Sequence, residues 1–417
     1  MNNFHWVDDE LYCENVALAE VARRYGTPVY VYSKAGILTN IELFLGAFES
    51  VDAQICYSVK ANGNLSLLRL MAAKGIGADI VSGGELFRAL KAGIAPQKIV
   101  YSGVGKTDEE LRFALKTGIG MFNVESEPEL LALAAIAEEV GIIAPIALRV
   151  NPDIDGKTHR FTTTAKKENK FGIPLSRVIE LYKKAHGLSY INPIGIDVHL
   201  GSPILSLEPY QQALDVVGDL VAQLRAVGIA IHVLDIGGGF GIIYKDEKPF
   251  TPIQFSQLVL PTLERLQCRL IIEPGRFIVG NAGVLVTKVT YVKETDAKLF
   301  YICDAGMNDL IRPPLYGSYH DIAPLRRSKQ SETVTADIVG PICESSDFFA
   351  QNRVIEKQQR SALLAVKSAG AYGFSMSSQY NARPRACEAL VDGASFSCIR
   401  KRESYEDLVR QEIDLPA

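Results

Sequence analysis

The sequence predicts an α/β protein, a (β/α)8 TIM-type barrel with a second β-rich domain of sandwich or barrel-like character, and three observations lead there. Apolar strand-like runs alternate with helical periods from about residue 53 to residue 273. Eight strand runs fall in that interval, and a closed barrel of eight β-then-α units normally takes ~250 residues. Beyond Pro274 the texture changes to Val/Thr/Tyr alternation with few helical periods, the mark of a β-rich domain.

At the start of the chain, Asn15 is placed to cap a helix over VALAEVARRY, and Gly26 stops it. PVYVYS follows as a strand, and Ser33 caps a second helix through about Phe48. The eight strand candidates are AQICYSVK (53–60), GIGADIV (75–81), KIVYS (98–102), GMFNV (120–124), PIALRV (145–150), PIGIDVHL (193–200), HVLDI (232–236) and RLIIE (269–273). Between them, amphipathic stretches such as GELFRALKAG and EPELLALAAIAEEVG end in glycine, as helices commonly do. GVLVTKVTYVKET, KLFYICD and TVTADIVG then read as strands. No proline-rich linker, low-complexity tract or repeat marks the change, so pattern alone assigns 34–275 to the barrel and 1–33 with 276–417 to the β-rich domain. The basic run LRRSK (325–329) reads as a solvated loop, and the polar stretch 154–169 as a mobile loop beside an active site.

Composition narrows the function. An apolar share of 47% and a charged share of 22% exclude a disordered chain and a coiled coil. Forty-four Lys plus Arg against 48 Asp plus Glu leave a net charge of −4 with no recurring basic block, which points to a small-molecule partner and away from nucleic acid. The 7 cysteines are scattered, odd in number and never spaced as CxxC, so they read as reduced thiols and not as a disulfide framework or a zinc site. The compartment expected is the cytoplasm. MNNFHWVDDE lacks the basic start of a secretory signal, and no run approaches the ~18 apolar residues of a membrane span.

Chemistry in such a barrel sits at the C-terminal ends of the strands. Those ends carry Lys60, Asp79, Ser102, Asn123 with Glu125, Arg149 with Asn151, His199, the glycines 237–239, and Glu273 with Gly275 and Arg276. Lys60 ends a largely apolar run, where burial would depress its pKa and free the amine for Schiff-base chemistry; on position alone a lysine snorkelling from a strand end fits as well. LDIGGGFG lets backbone N–H groups approach an anion, and IIEPGR supplies a second loop of the kind that binds phosphate after strands seven and eight. A tight turn is the plainer alternative, and the missing downstream acid argues against a dinucleotide site. Glu273 is a carboxylate at the end of an apolar strand and needs a partner. That partner is either Arg276 or, given the lysine and phosphate loops on the same rim, a pyridine nitrogen that the carboxylate keeps protonated. His199 is either a satisfied core histidine or a ring that stacks on a cofactor.

Together, YSVKAN (57–62), GADIVSGGEL (77–86), GVGKT (103–107), HRF (159–161), NKFGI (169–173), DVHLGS (197–202), DIGGGFG (235–241), EPGR (273–276), RPPLY (312–316), GPICESSD (340–347) and AGAYGFSMSSQYNARPR (369–385) resemble one family, the diaminopimelate decarboxylases. The resemblance runs in order over about residues 16–391. It implies a lyase with an alanine-racemase-like barrel that uses pyridoxal 5'-phosphate and converts meso-2,6-diaminopimelate to L-lysine and CO2, the last step of lysine biosynthesis. It implies that Lys60 holds the cofactor, His199 stacks on the ring and Glu273 meets the pyridine nitrogen. Gly238, Gly239, Gly275, Arg276, Ser202 and Tyr372 would surround the phosphate. By the same resemblance Cys343 reprotonates the α-carbon, and Arg276, Arg312, Tyr316, Tyr372 and Glu344 bind substrate. Cys343 would come from a second subunit, so the implied unit is a homodimer in which the β-rich domain completes the other chain's site.

The substrate has an amino-acid group at each end, so recognition needs a carboxylate clamp and an ammonium acceptor together. Arg276 and Arg312 can grip a carboxylate bidentately, and Glu344 can accept an ammonium. Lysine or ornithine would leave buried arginine donors unpaired, a loss that can discriminate by ~10⁴–10⁵. Three other readings carry their own tests. A related ornithine- or lysine-type decarboxylase usually has aspartate at the position of Glu344, and a racemase of this type usually has arginine at that of Glu273. A non-catalytic cofactor-binding relative is opposed by the intact Lys60 and Cys343.

Overall fold

The structure, a computed structural model, describes residues 3–156, 169–327 and 332–413. Two compact units divide the chain, one of Asn40–Ile242 with Lys248–Phe277 and one of Met1–Thr39, Ile243–Glu247 and Ile278–Ala417. No helix among the described residues is long and apolar enough to cross a membrane.

The first unit contains the eight anticipated strands, β1 (Ala53–Ser58), β2 (Gly77–Ile80), β3 (Ile99–Tyr101), β4 (Met121–Val124), β5 (Ala144–Asn151), β6 (Ile191–Asp197), β7 (Val233–Asp235) and β8 (Arg269–Ile272). Each pairs in parallel with the next, and β8 pairs in parallel with β1, so the sheet closes. A parallel barrel is covered on its outer face by helices, which is why its strands read as nearly continuous apolar runs. Inside, Cys56, Val100, Met121, Ala147, Val233 and Ile271 pack into one apolar plug. The helices are bounded as their sequences dictate. Ser82, Thr107, Ser126 and Thr251 each accept the N–H three residues on, and Gly93, Gly118 and Gly141 close the far ends in the left-handed conformation.

Two strands stop earlier than their apolar runs suggest. β1 ends at Ser58, opposite Asp79, and β6 ends at Asp197, opposite Asp235, because the ladders run out there. Lys60 therefore sits on a single 3-10 turn, Val59–Ala61, and His199 on a loop.

In the second unit the long strand Gly283–Glu294 is the spine. Its first half pairs antiparallel with Val29–Ser33 and with Leu363–Val366, and its second half with Leu299–Cys303. Cys387–Asp392 lies parallel to Val29–Ser33 and carries Ser395–Arg400 antiparallel on its other edge. Val29, Val31, Val284, Val286, Ala365 and Ala389 are among the residues that build the core of this sheet.

Two expectations change here. Residues 4–17 form three short antiparallel strands, Phe4–Val7, Glu10–Cys13 and Val16–Ala17. Asn15 lies in the turn that pairs Cys13 with Val16, so the helix begins only at Leu18, after Ala17, and ends before Gly26. Ser33 does accept the Gly36 N–H, at 2.9 Å. Of the run at 325–329, Leu325 is buried in the core, whereas Arg326 and Arg327 are exposed as a solvated loop would have them, with the Arg327 guanidinium 3.7 Å from the Trp6 ring centroid, and 328–329 lie outside the described residues. Most of the loop expected at 154–169, including HRF, lies outside the described residues.

Candidate active site

Polar residues crown the apolar plug. Ser58, the last residue of β1, places its Oγ 2.8 Å from Asp79 Oδ2 and 2.9 Å from the Glu273 carbonyl oxygen. Lys60 Nζ donates to the same Asp79 Oδ2 at 2.7 Å, with a third of its side chain exposed. Lys60 Nζ is thus held against a buried carboxylate, because Asp79 ends the neighbouring strand.

Asp79, Asp197, Asp235 and Glu273 are all buried. Asn123 Nδ2 donates to Asp235 Oδ2 at 3.0 Å and to Ser102 Oγ at 3.1 Å, and the Gly237 N–H donates to Asp235 Oδ1 at 3.0 Å. Arg149 Nη1 donates to Glu125 Oε1 at 2.7 Å, and its Nε lies 3.9 Å from Asp197 Oδ2. Crowding acids in a desolvated site disfavours their charge. Burial, reinforced by Asp235, Asp79 and Asp197, pushes the Glu273 carboxyl well above its usual range. Burial lifts Asp235 to about 6, against the opposing Gly237 N–H and Asn123 bonds. Asp79 Oδ1, Asn123 Oδ1, Arg149 Nη2 and Asp197 Oδ1 are buried atoms without a hydrogen-bond partner, the usual sign of a site built for something more.

Loops after β6, β7 and β8 meet beside this cluster. The Gly238 N–H donates to His199 Nδ1 at 3.2 Å, which leaves the ring proton on Nε2. Burial, then the positive Arg149 and Lys60, holds the His199 pKa well below its ordinary value. Glycine is required at this approach, since a Cβ on Gly237 (φ +66°) would stand 2.5 Å from His199 Nδ1 and one on Gly238 2.1 Å from the Glu273 carbonyl oxygen. The Ile204 N–H donates to the Gly239 carbonyl at 2.7 Å, and Arg276, buried just past Gly275, places Nε and Nη2 each 3.3 Å from Ser202 Oγ. Lys60, His199, Ser202, Gly238, Gly239, Glu273, Gly275 and Arg276 are therefore brought to one end of the barrel.

The remaining candidates lie in the β-rich unit. Arg312 is buried, donates from Nη2 to Ser318 Oγ at 3.2 Å, and its guanidinium carbon lies 5.8 Å from the Tyr316 ring centroid. Cys343 and Glu344 are exposed on one turn. The Cys343 N–H donates to Asn381 Oδ1 at 2.9 Å, and the Glu344 carboxylate accepts from the Tyr380 hydroxyl and from Ser346 Oγ, bonds that hold its pKa below the usual value. Tyr372 adopts a left-handed φ of +56°, a conformation uncommon outside glycine and often found at functional positions.

Sequence reasoning did not single out Asp197 and Asp235, although each ends an apolar run as Glu273 does. It also passed over Asn381 and Tyr380, whose bonds to Cys343 and Glu344 cross 38 and 36 positions of sequence.

This donor set fits a pyridoxal group. Among the described residues Glu273 has no ion-pair partner, so a protonated ring nitrogen would supply the missing cation. An amine and glycine loops stand at the same barrel end. The comparisons agree. The family described as "Pyridoxal-dependent decarboxylase, pyridoxal binding domain" matches residues 34–280. Diaminopimelate decarboxylases of Aquifex aeolicus and Vibrio cholerae are 50% and 49% identical to this chain, over 98% and 100% of it and 97% and 100% of their own lengths. The crystal structure of diaminopimelate decarboxylase from Helicobacter pylori complexed with L-lysine superposes with a TM-score of 0.92 at 42% identity, covering 95% of this chain and 99% of its own. Likeness of that degree, along essentially the whole of each relative, places the chain in the diaminopimelate decarboxylase family of pyridoxal-dependent enzymes.

Proposed function

We propose that this chain removes CO2 from one end of meso-2,6-diaminopimelate and releases L-lysine, using pyridoxal 5'-phosphate. The observation that carries the reading is Glu273, a buried carboxylate without an ion-pair partner among the described residues, at the barrel end where Lys60 stands. When bound, the cofactor supplies the electron sink that makes loss of a carboxyl group from an amino acid possible. Everything else is done by the chain. Lys60 Nζ holds the cofactor, and Asp79 orients that amine through their 2.7 Å contact. Glu273 keeps a proton at the ring nitrogen's side of the site. His199, neutral, presents an uncharged face for stacking. Backbone groups around Gly238, Gly239, Gly275 and Arg276, with Ser202 and the Tyr372 hydroxyl, surround the phosphate.

For the substrate, Arg276, Arg312 and Tyr316 bind the distal carboxylate, Glu344, held ionised, accepts the distal ammonium, and Tyr372 also contacts the substrate. Cys343 Sγ donates the proton that replaces the departed carboxyl. The exposure of Cys343 and Glu344 on a single chain supports a homodimer in which each β-rich domain completes its partner's site. Scattered free thiols support a cytoplasmic setting.

Release of CO2 from meso-diaminopimelate by the purified holoenzyme, with ornithine and lysine as controls, tests the reading. Equal turnover of ornithine, or none of diaminopimelate, would rule it out.

A further inference from the structure

Cys343 and Glu344 stand on a turn whose shape is governed by one buried carboxylate. Asp347 is 4% exposed; its Oδ1 accepts the Met307 N–H at 2.6 Å, and its Oδ2 accepts the Ile342 N–H at 2.6 Å. A single side chain thereby ties the residue before Cys343 to a separate loop of the same unit. The turn also closes on itself, with the Gly340 N–H donating to the Asp347 carbonyl at 3.2 Å and the Asp347 N–H donating to the Glu344 carbonyl at 3.1 Å. Space for the carboxylate is kept by glycine, since a Cβ on Gly340 would stand 2.5 Å from Asp347 Oδ2 and 2.4 Å from Gly306 Cα. From the opposite side, Asn381 holds the Cys343 amide.

Among the described residues no lysine or arginine pairs with Asp347, and burial raises its pKa. Burying a carboxylate with backbone amides as its partners is costly, and the nearby Arg383 charge offsets only part of that cost. Its effect is geometric: two amides from two loops are fixed to one planar group.

We propose that Asp347 is a positioning residue for the reaction, its grip on the Ile342 and Met307 amides setting Cys343 Sγ where proton donation requires it. The inference rests on the role given above to Cys343.

Asp347→Asn tests it on the holoenzyme. An amide has one acceptor oxygen, so whichever way it turns, one of the two N–H groups faces an NH2. The expected result is a fall in kcat on meso-diaminopimelate of about 10- to 100-fold, while the absorbance of the bound cofactor is unchanged. In a Cys343→Ala background the same substitution should lower kcat by less than about 2-fold, because the residue it serves is gone. Asn381→Gly, which tolerates the left-handed backbone and deletes the acceptor for the Cys343 N–H, should move kcat in the same direction and stands in if Asp347→Asn does not fold. A wild-type kcat in Asp347→Asn beside an impaired Cys343→Ala would overturn the proposal alone. Equal losses in both backgrounds would overturn it in favour of a general structural role. An unimpaired Cys343→Ala would remove the reading of Cys343, and the proposal with it.

Discussion

Lys60 and Ser58 converge on one carboxylate oxygen, Asp79 Oδ2, at 2.7 and 2.8 Å, so the amine proposed to hold the cofactor is aimed before the cofactor arrives. Replacing Glu273 by alanine removes the proposed partner of the ring nitrogen and should lower kcat by about 10²–10³-fold with CO2 release as the readout; a loss under about tenfold would argue that another group does this work. Asp235 makes a pH prediction of the opposite sign from an ordinary surface acid. Its folded pKa, about 6, exceeds the ~3.9 of an unfolded aspartate, so the folded state binds more protons between those values. The contribution of Asp235 to stability is therefore full below about 4 and lost as pH rises through about 6. Urea unfolding of protein stripped of cofactor should show it, and Asp235→Asn should flatten that slope. At this scale the sequence made legible the residues whose chemistry is odd for their place, such as a carboxylate after RLII. It hid Asp347 and Asn381, whose importance lies in backbone amides they reach only after folding.

GVGKT shows how a motif can serve an element. Lys106 is almost fully buried and donates to the carbonyls of Gly103 and Asn123 and to Glu129 Oε1, at 2.7, 2.8 and 2.7 Å. It joins the loop after β3 to the end of β4 and to the helix Glu127–Val140. Lys106→Ala leaves Glu129 buried without its cation and should cost about 3–5 kcal/mol in urea unfolding; a cost below about 1 kcal/mol would show that water or a rearranged partner takes its place. Among the elements, the eight strands were readable because barrel strands are apolar on both faces. The strands at 4–17 were not, being two to four residues long, too short for periodicity to speak. Their signal was the turn at Asp8 and Asp9, both with positive φ, a two-residue hairpin connection of the kind aspartate tolerates. Lys60 fell on a turn instead of a strand because pairing, which hydropathy does not report, ends at Ser58.

For the whole molecule, the proposed dimer joins residues of the barrel of one chain to residues of the β-rich unit of its partner. Mixed Lys60→Ala and Cys343→Ala chains, each strongly impaired alone, should regain up to about a quarter of wild-type activity when subunits exchange, since half the dimers of a two-fold assembly then carry one intact site. No recovery after demonstrated exchange would place both residues of a site on one chain. The central claim is that Lys60 carries the cofactor. The most direct measurement is borohydride reduction of the holoenzyme followed by peptide mapping. The account expects the pyridoxyl label on the peptide containing Lys60; a label on a different lysine, or on none, would contradict it.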